Sequence, residues 1–111
     1  MNIYDTANRL ASEIKQSEEY VNYKMAKQAL NLNTGLKKRM SEFEKMRYEA
    51  QMVQLQTGKE DTEKIEKVKK LFEELIQEEE AKKFFDAETK FNIVIADVNK
   101  IIGEAIRDVM Q

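Results

Sequence analysis

The chain has no cysteine, no proline, no histidine and no tryptophan, and only three glycines in 111 residues. Each absence removes a class of chemistry. Without cysteine there is no disulfide framework and no thiolate nucleophile or ligand. Without cysteine and histidine, structural or catalytic zinc sites cannot be assembled in the usual way. A di-iron carboxylate bundle, which needs Glu-x-x-His pairs, is likewise excluded. Nucleophilic catalysis with a histidine or cysteine partner is excluded too. Gly35, Gly58 and Gly103 stand too far apart to form a phosphate-binding loop. No cofactor, metal or catalytic residue set is expected, and the chain is not expected to be an enzyme.

Other features are equally sparse. The formal net charge is −2, which argues against bulk polyanion binding. Arg9, Glu13 and Lys15 interrupt any N-terminal apolar segment, so no signal peptide is expected. The run Ile93-Val94-Ile95-Ala96 falls far short of the ~20 residues of a membrane span. A cytoplasmic protein without a membrane span is the expectation.

What is present is helical periodicity. Charged residues make up 36% and hydrophobic residues 41% of the chain, and the apolar ones recur at helical spacing, which separates this composition from disorder. The length suits one domain, residues 1–111. A globule of this size buries only about two-thirds of its unfolded surface. Self-association, as a homodimer or higher homo-oligomer, is therefore expected.

Five helices are predicted, giving an all-α fold of antiparallel hairpins in a bundle. The first runs from about Asn2 to Gln16, capped by Asn2, with Ile3, Ala7, Leu10 and Ile14 on one face widened by Tyr4 and Ala11. Ser17 is the next N-cap, with Glu18 and Glu19 favourably placed in the first turn of a second helix to about Leu30. One continuous, bent helix is the alternative there. Asn31 to Gly35 is a turn signal, within which Asn33 or Thr34 can cap the next helix. A third helix follows from Leu36 to about Gln56, with a face of Leu36, Met40, Phe43, Met46, Ala50 and Val53. Thr57-Gly58 ends it, and Asp61 or Thr62 caps a fourth helix bearing Ile65, Val68, Leu71, Phe72, Leu75 and Ile76. Glu78-Glu79-Glu80 reads either as a break before a fifth helix or as a solvated turn of an unbroken one, and the break is the favoured reading.

The fifth helix, about Ala81 to Val109, carries the most apolar pattern: Phe84, Ala87, Phe91, Val94, Val98, Ile101 and Ala105, joined by a third column of Ile95, Ile102 and Val109. Three columns suit a buried bundle helix or a second interface. The helix is expected to pack on the hairpin of the third and fourth helices. Candidate interface residues are Phe84, Phe91, Ile95, Val98, Ile102 and Ile106, and the sequence cannot divide them between intrachain core and partner contact. Gly103 reads as a point of close approach or as a tolerated exposed residue. The six methionines, including Met40, Met46 and Met52 on one helix, read as core fillers or as an adaptable binding surface.

One segment has local basic character. Between Lys24 and Arg47 basic residues outnumber Glu42 and Glu44, with Tyr23 and Tyr48 alongside. An RNA-contacting accessory protein using Lys37, Lys38, Arg39 and Arg47 is the alternative function, set against ordinary charge segregation. Nucleic acid is not the leading partner.

The ordered segments resemble a known family. Ile3-Tyr4-Asp5-Thr6-Ala7 with Leu10-Ala11, then Ser17-Glu18-Glu19-Tyr20 with Tyr23-Lys24, resemble the opening of the YlbF/YmcA/YheA family of small bacterial helical proteins. Leu36-Lys37 through Met40 and Phe43 resembles its middle helix. The strongest likeness is Ala87-Glu88-x-x-Phe91-Asn92, running through Ile95-Ala96-Asp97-Val98 to Lys100-Ile101-Ile102-Gly103-Glu104-Ala105-Ile106. The resemblance implies a dimerising all-α fold without catalytic residues. It also implies regulatory work in competence, sporulation, biofilm formation or messenger-RNA processing, with a paralogue or an endoribonuclease complex as partner. Two departures stand out. Glu18 replaces the proline of the family's Ser-Pro-Glu-Tyr turn, and the chain lacks the cysteines that some members associate with an iron–sulfur cluster.

Overall fold

A computed structural model describes residues 2–110. Among these, five α-helices and no strands are found: α1 (Ile3–Gln16), α2 (Glu18–Leu32), α3 (Thr34–Thr57), α4 (Thr62–Leu75) and α5 (Glu79–Met110). The caps explain the boundaries. The Asn2 side chain accepts from the Tyr4 N–H at 2.8 Å, Ser17 Oγ from Tyr20 at 3.2 Å, Asn33 from Leu36 at 3.1 Å and Asp61 from Lys64 at 3.2 Å. Each satisfies an amide group that a helix start leaves without an intrahelical partner.

Ser17 also separates α1 from α2. Its backbone is extended, at φ −67° and ψ 150°, so one residue ends one helix and caps the next. The continuous-helix alternative is thereby resolved in favour of two helices. Gly58 closes α3 with φ 73°, a left-handed conformation that strains residues carrying a Cβ.

The passage from α4 to α5 has no glycine. Instead the last turn tightens, with the Gln77 N–H donating to the Glu74 carbonyl at 3.3 Å and Glu78 to Leu75 at 3.0 Å. Leu75 and Ala81, on either side of this turn, are both completely buried. Packing of these two residues into one core fixes a break that the acidic run only hinted at.

The core gathers Leu30 of α2, Leu36, Met40 and Phe43 of α3, Leu75 of α4, and Ala81, Phe84 and Phe85 of α5. Phe85 stacks edge-on against Phe72 at 4.9 Å and Phe43 at 5.5 Å, geometries worth about 0.5–1.5 kcal/mol beyond their buried area. Helices α3 and α4 form the expected antiparallel hairpin. The expected docking of the last helix on that hairpin needs correction, because α5 packs chiefly on α2. Tyr20 meets Phe91 and Tyr23 reaches Phe84, so α2 and α5 run antiparallel. The Phe43 and Phe72 contacts to the hairpin come from the first two turns of α5. The reason is chain geometry: α5 is 32 residues long, and the hairpin core offers space only for its start.

The resulting bundle is flat and open. It measures 50 × 37 × 16 Å with a radius of gyration of 17.7 Å, against about 13 Å for a compact chain of this length. The exposed surface is 8998 Å², about 2,600 Å² more than the ~6,400 Å² typical of a folded monomer of 13.1 kDa.

Candidate interaction surface

Two helical stretches contribute to that surplus with periodic apolar residues. The first is the far half of α5. Its apolar face begins in the core at Ala81, Phe84 and Phe85, becomes half-buried at Ala87, Phe91, Val94, Ile95 and Val98, and is exposed from residue 99 to 110. Ile101 is 69% exposed, Ile102 49%, Ile106 44% and Val109 76%. The second is α1, which has no buried residue. Ile3 and Tyr4 are exposed, and Leu10 and Ile14 are half-buried. Scattered exposed apolar residues need no explanation, but two contiguous helical stripes do.

The six candidate interface residues therefore separate. Phe84 is core. Phe91 lies under Tyr20 and Tyr23, with ring centres at 5.9 and 5.5 Å. Ile95 and Val98 are half-buried. Ile102 and Ile106 are exposed, at 49% and 44%. Sequence reasoning did not single out α1 as a candidate surface, although its stripe of Ile3, Ala7, Leu10 and Ile14 was the available signal. Gly103 has nothing within 4 Å of a Cβ position, so nothing in this chain approaches it closely.

Between α2 and α5 runs an open trough of about 810 Å³. Its floor is Ala26, Ala29 and Ala87, and its rims carry Glu18, Glu19, Glu80 and Asp86 together with Lys83 and Lys90. The mixed rim gives no preference for a ligand of one charge. No group of three or more acidic residues among those described is placed to hold a metal ion, and Glu78 to Glu80 remain a solvated run, with Glu79 paired to Lys83 at 3.3 Å.

Beside the trough, the Tyr23 hydroxyl donates to Glu88 Oε2 at 3.1 Å, joining α2 to α5. Burial pushes the Tyr23 phenol above its ordinary value, and the negative charge of Glu88 and the hydrogen bond to it push the same way. Glu44 adds to the rise and Arg47 opposes it. The folded state thus favours the neutral phenol. Its contribution to stability is fully present below pH ~10, the ordinary tyrosine range, and is lost as pH rises through the folded value. Tyr23→Phe is expected to cost about 1 kcal/mol at pH 7, through the lost hydrogen bond. The gap from wild type should narrow by pH ~11. Urea midpoints of both proteins at the two pH values check this, and an unchanged gap would refute the attribution.

The basic segment is interleaved with acidic side chains. Lys37 and Lys38 are exposed at the start of α3, and Arg39 is half-buried. Arg47 is committed elsewhere, paired with Glu44 and lying 5.4 Å over the Phe43 ring. The cleft that Lys27 and Lys37 border also contains Glu44 and Glu88, which would repel a phosphate backbone. Met40 is buried while Met46 and Met52 are half-buried, in keeping with core filling. No helix of the described residues is long and apolar enough to cross a membrane.

Comparisons with known proteins agree along nearly the whole chain. A family model described as control of competence regulator ComK, YlbF/YmcA, matches residues 3–107. A UPF0342 protein of Desulfitobacterium hafniense is 36% identical over 110 residues, covering 99% of this chain and 89% of the relative. A UPF0342 protein of Clostridium novyi is 32% identical over 108 residues, with 97% and 95% covered. A third, from Symbiobacterium thermophilum, is 34% identical over 105 residues, with 94% and 93% covered.

Proposed function

Because the chain belongs to the YlbF/YmcA family, we propose that it is a non-enzymatic regulatory adaptor that self-associates and works by protein–protein contact. The observation that carries this reading is the uncovered apolar length of α5, from Ile101 to Val109. The surplus of about 2,600 Å² per chain exceeds the ~800 Å² that each partner buries in a standard-sized interface. The regulatory part rests on the family's description as a control of competence regulator. Competence, sporulation, biofilm formation and messenger-RNA processing are the processes in which such an adaptor would act, with a paralogue or an endoribonuclease complex as its partner.

Light scattering after size exclusion tests the self-association: a mass of at least twice 13.1 kDa is expected, and a stable monomer at tens of micromolar would overturn it. Removal of the gene tests the regulatory part. Altered levels or processing of transcripts are expected, and an unchanged transcript profile would overturn that part.

A further inference from the structure

Two apolar stripes in one chain, each left partly uncovered, raise the question of whether each covers the other. On α1 the stripe is Ile3, Ala7, Leu10 and Ile14; on α5 it is Val98, Ile102, Ala105 and Val109. Both recur at offsets of four, three and four residues, the spacing of one continuous helical seam. The two stripes have the same length, and their small residues alternate. Laid parallel and in register, they set Ala7 against Ile102 and Leu10 against Ala105, with Ile3 beside Val98 and Ile14 beside Val109. Each layer then joins a small side chain to a large one, or two of middling size, which is how facing helices fill space without voids. Laid antiparallel, the same stripes set Ala7 against Ala105 and Leu10 against Ile102, one layer underfilled and the next overfilled.

The flanking positions favour the same direction. In a parallel pair the residue preceding a core position faces the flank of the partner helix one turn or so onward. Ile101 then meets Ala11 and Val94 meets Tyr4. The antiparallel arrangement brings Ile101 to Glu13.

A single chain cannot make the parallel pair. Helix α2 runs antiparallel to α5, with Tyr20 beside Phe91, and α1 joins α2 through Ser17 alone. An α1 that carried on the line of α2 would reach its own α5 tail antiparallel. An α1 folded back would lie beside α2, away from the tail. In the structure α1 contacts α2, and its stripe, half-buried at Leu10 and Ile14, stays exposed at Ile3 and Ala7.

We propose that the second copy supplies the missing partner: α1 of each chain lies parallel on the α5 tail of the other, in a two-fold symmetric exchange of N-terminal arms. The arrangement rests on the self-association proposed above and specifies its contacts. It covers both stripes at once and uses a self-complementary surface, as a two-fold dimer requires. Pairing of α5 with α5 in antiparallel fashion would also match Ile102 with Ala105, but it would leave α1 bare.

The absence of cysteine makes the test direct, since each introduced thiol is the only one in its chain. Single variants Ala7→Cys, Ile102→Cys and Ala105→Cys are mixed in pairs, allowed to exchange subunits and oxidised. The proposal expects a covalent dimer from Ala7→Cys with Ile102→Cys, several-fold more abundant than from Ala7→Cys with Ala105→Cys. The reverse ratio would mean antiparallel arms and overturn it. A covalent dimer mainly from Ile102→Cys with Ala105→Cys would assign the interface to α5 alone and overturn it. Light scattering on the uncrosslinked variants separates the two levels of failure. A dimer lacking the Ala7–Ile102 link refutes the arm exchange only, whereas a monomer refutes the self-association as well.

Discussion

Ile102→Glu combined with Ile106→Glu is expected to convert the proposed dimer into a folded monomer. Both side chains are already nearly half exposed in the single chain, so neither supports the intrachain core. Glutamate is also a better helix former than isoleucine, so helical content should not fall. In the dimer Ile102 would lie in the seam and Ile106 would pack on its flank, and a fully buried isoleucine contributes about 1.5–3 kcal/mol. About half of that is at stake at each site, each site occurs twice by symmetry, and each glutamate adds the cost of a charge in an apolar seam. A loss of roughly 3 kcal/mol or more follows, equivalent to at least ~100-fold weaker association. Sedimentation or light scattering reads the mass, and circular dichroism reads the helices. A variant that keeps both its mass and its helices would show that the α5 tail is not the interface.

The contrast between this surface and the core also marks what the sequence disclosed. Helix starts were legible because they are local: Asn2, Ser17, Asn33 and Asp61 each cap through a bond to a residue two or three positions on. The end of α3 was legible for the same reason, in Gly58. The α4–α5 break was legible in the acidic run, and burying Leu75 and Ala81 together fixes it. One tertiary feature was not. The choice of α2 over the hairpin as the main support of α5 depends on the antiparallel match of Tyr20 and Tyr23 with Phe91 and Phe84. In the sequence those aromatics are simply members of two apolar faces.

The candidate interface shows the same limit within one helix. Phe84, Phe91, Ile95, Val98, Ile102 and Ile106 belong to one periodic pattern, and periodicity records which side of a helix is apolar, not what covers it. Only the length of α2 decides where cover stops. Helix α2 begins at Glu18, beside the middle of α5, so the pattern passes from core to surface with no change in residue type. The bare stripe of α1 escaped notice because a short amphipathic N-terminal helix in a small chain is usually covered by the rest of the fold.

Leu75→Ala should act oppositely to the paired glutamate variant, through the fold. Leu75 is completely buried, at the turn where α4 hands over to α5. Truncating such a leucine costs about 2–5 kcal/mol, the lost burial plus the cavity that remains. Relaxation should be limited, because Phe85 stands edge-on to both Phe43 and Phe72, and Phe43 is tilted against Phe72, around the same core. A small domain has only about 5–15 kcal/mol in total, and a thin core shared among four helices leaves little reserve. The urea midpoint should therefore fall sharply, and at physiological temperature a substantial fraction should unfold. The fraction that remains folded should still associate with wild-type affinity, since Leu75 lies far from the exposed half of α5. Equilibrium unfolding followed at two protein concentrations separates these effects. A loss of stability seen only at high concentration, where the chains are paired, would place Leu75 in the association surface, and would contradict its assignment to the core.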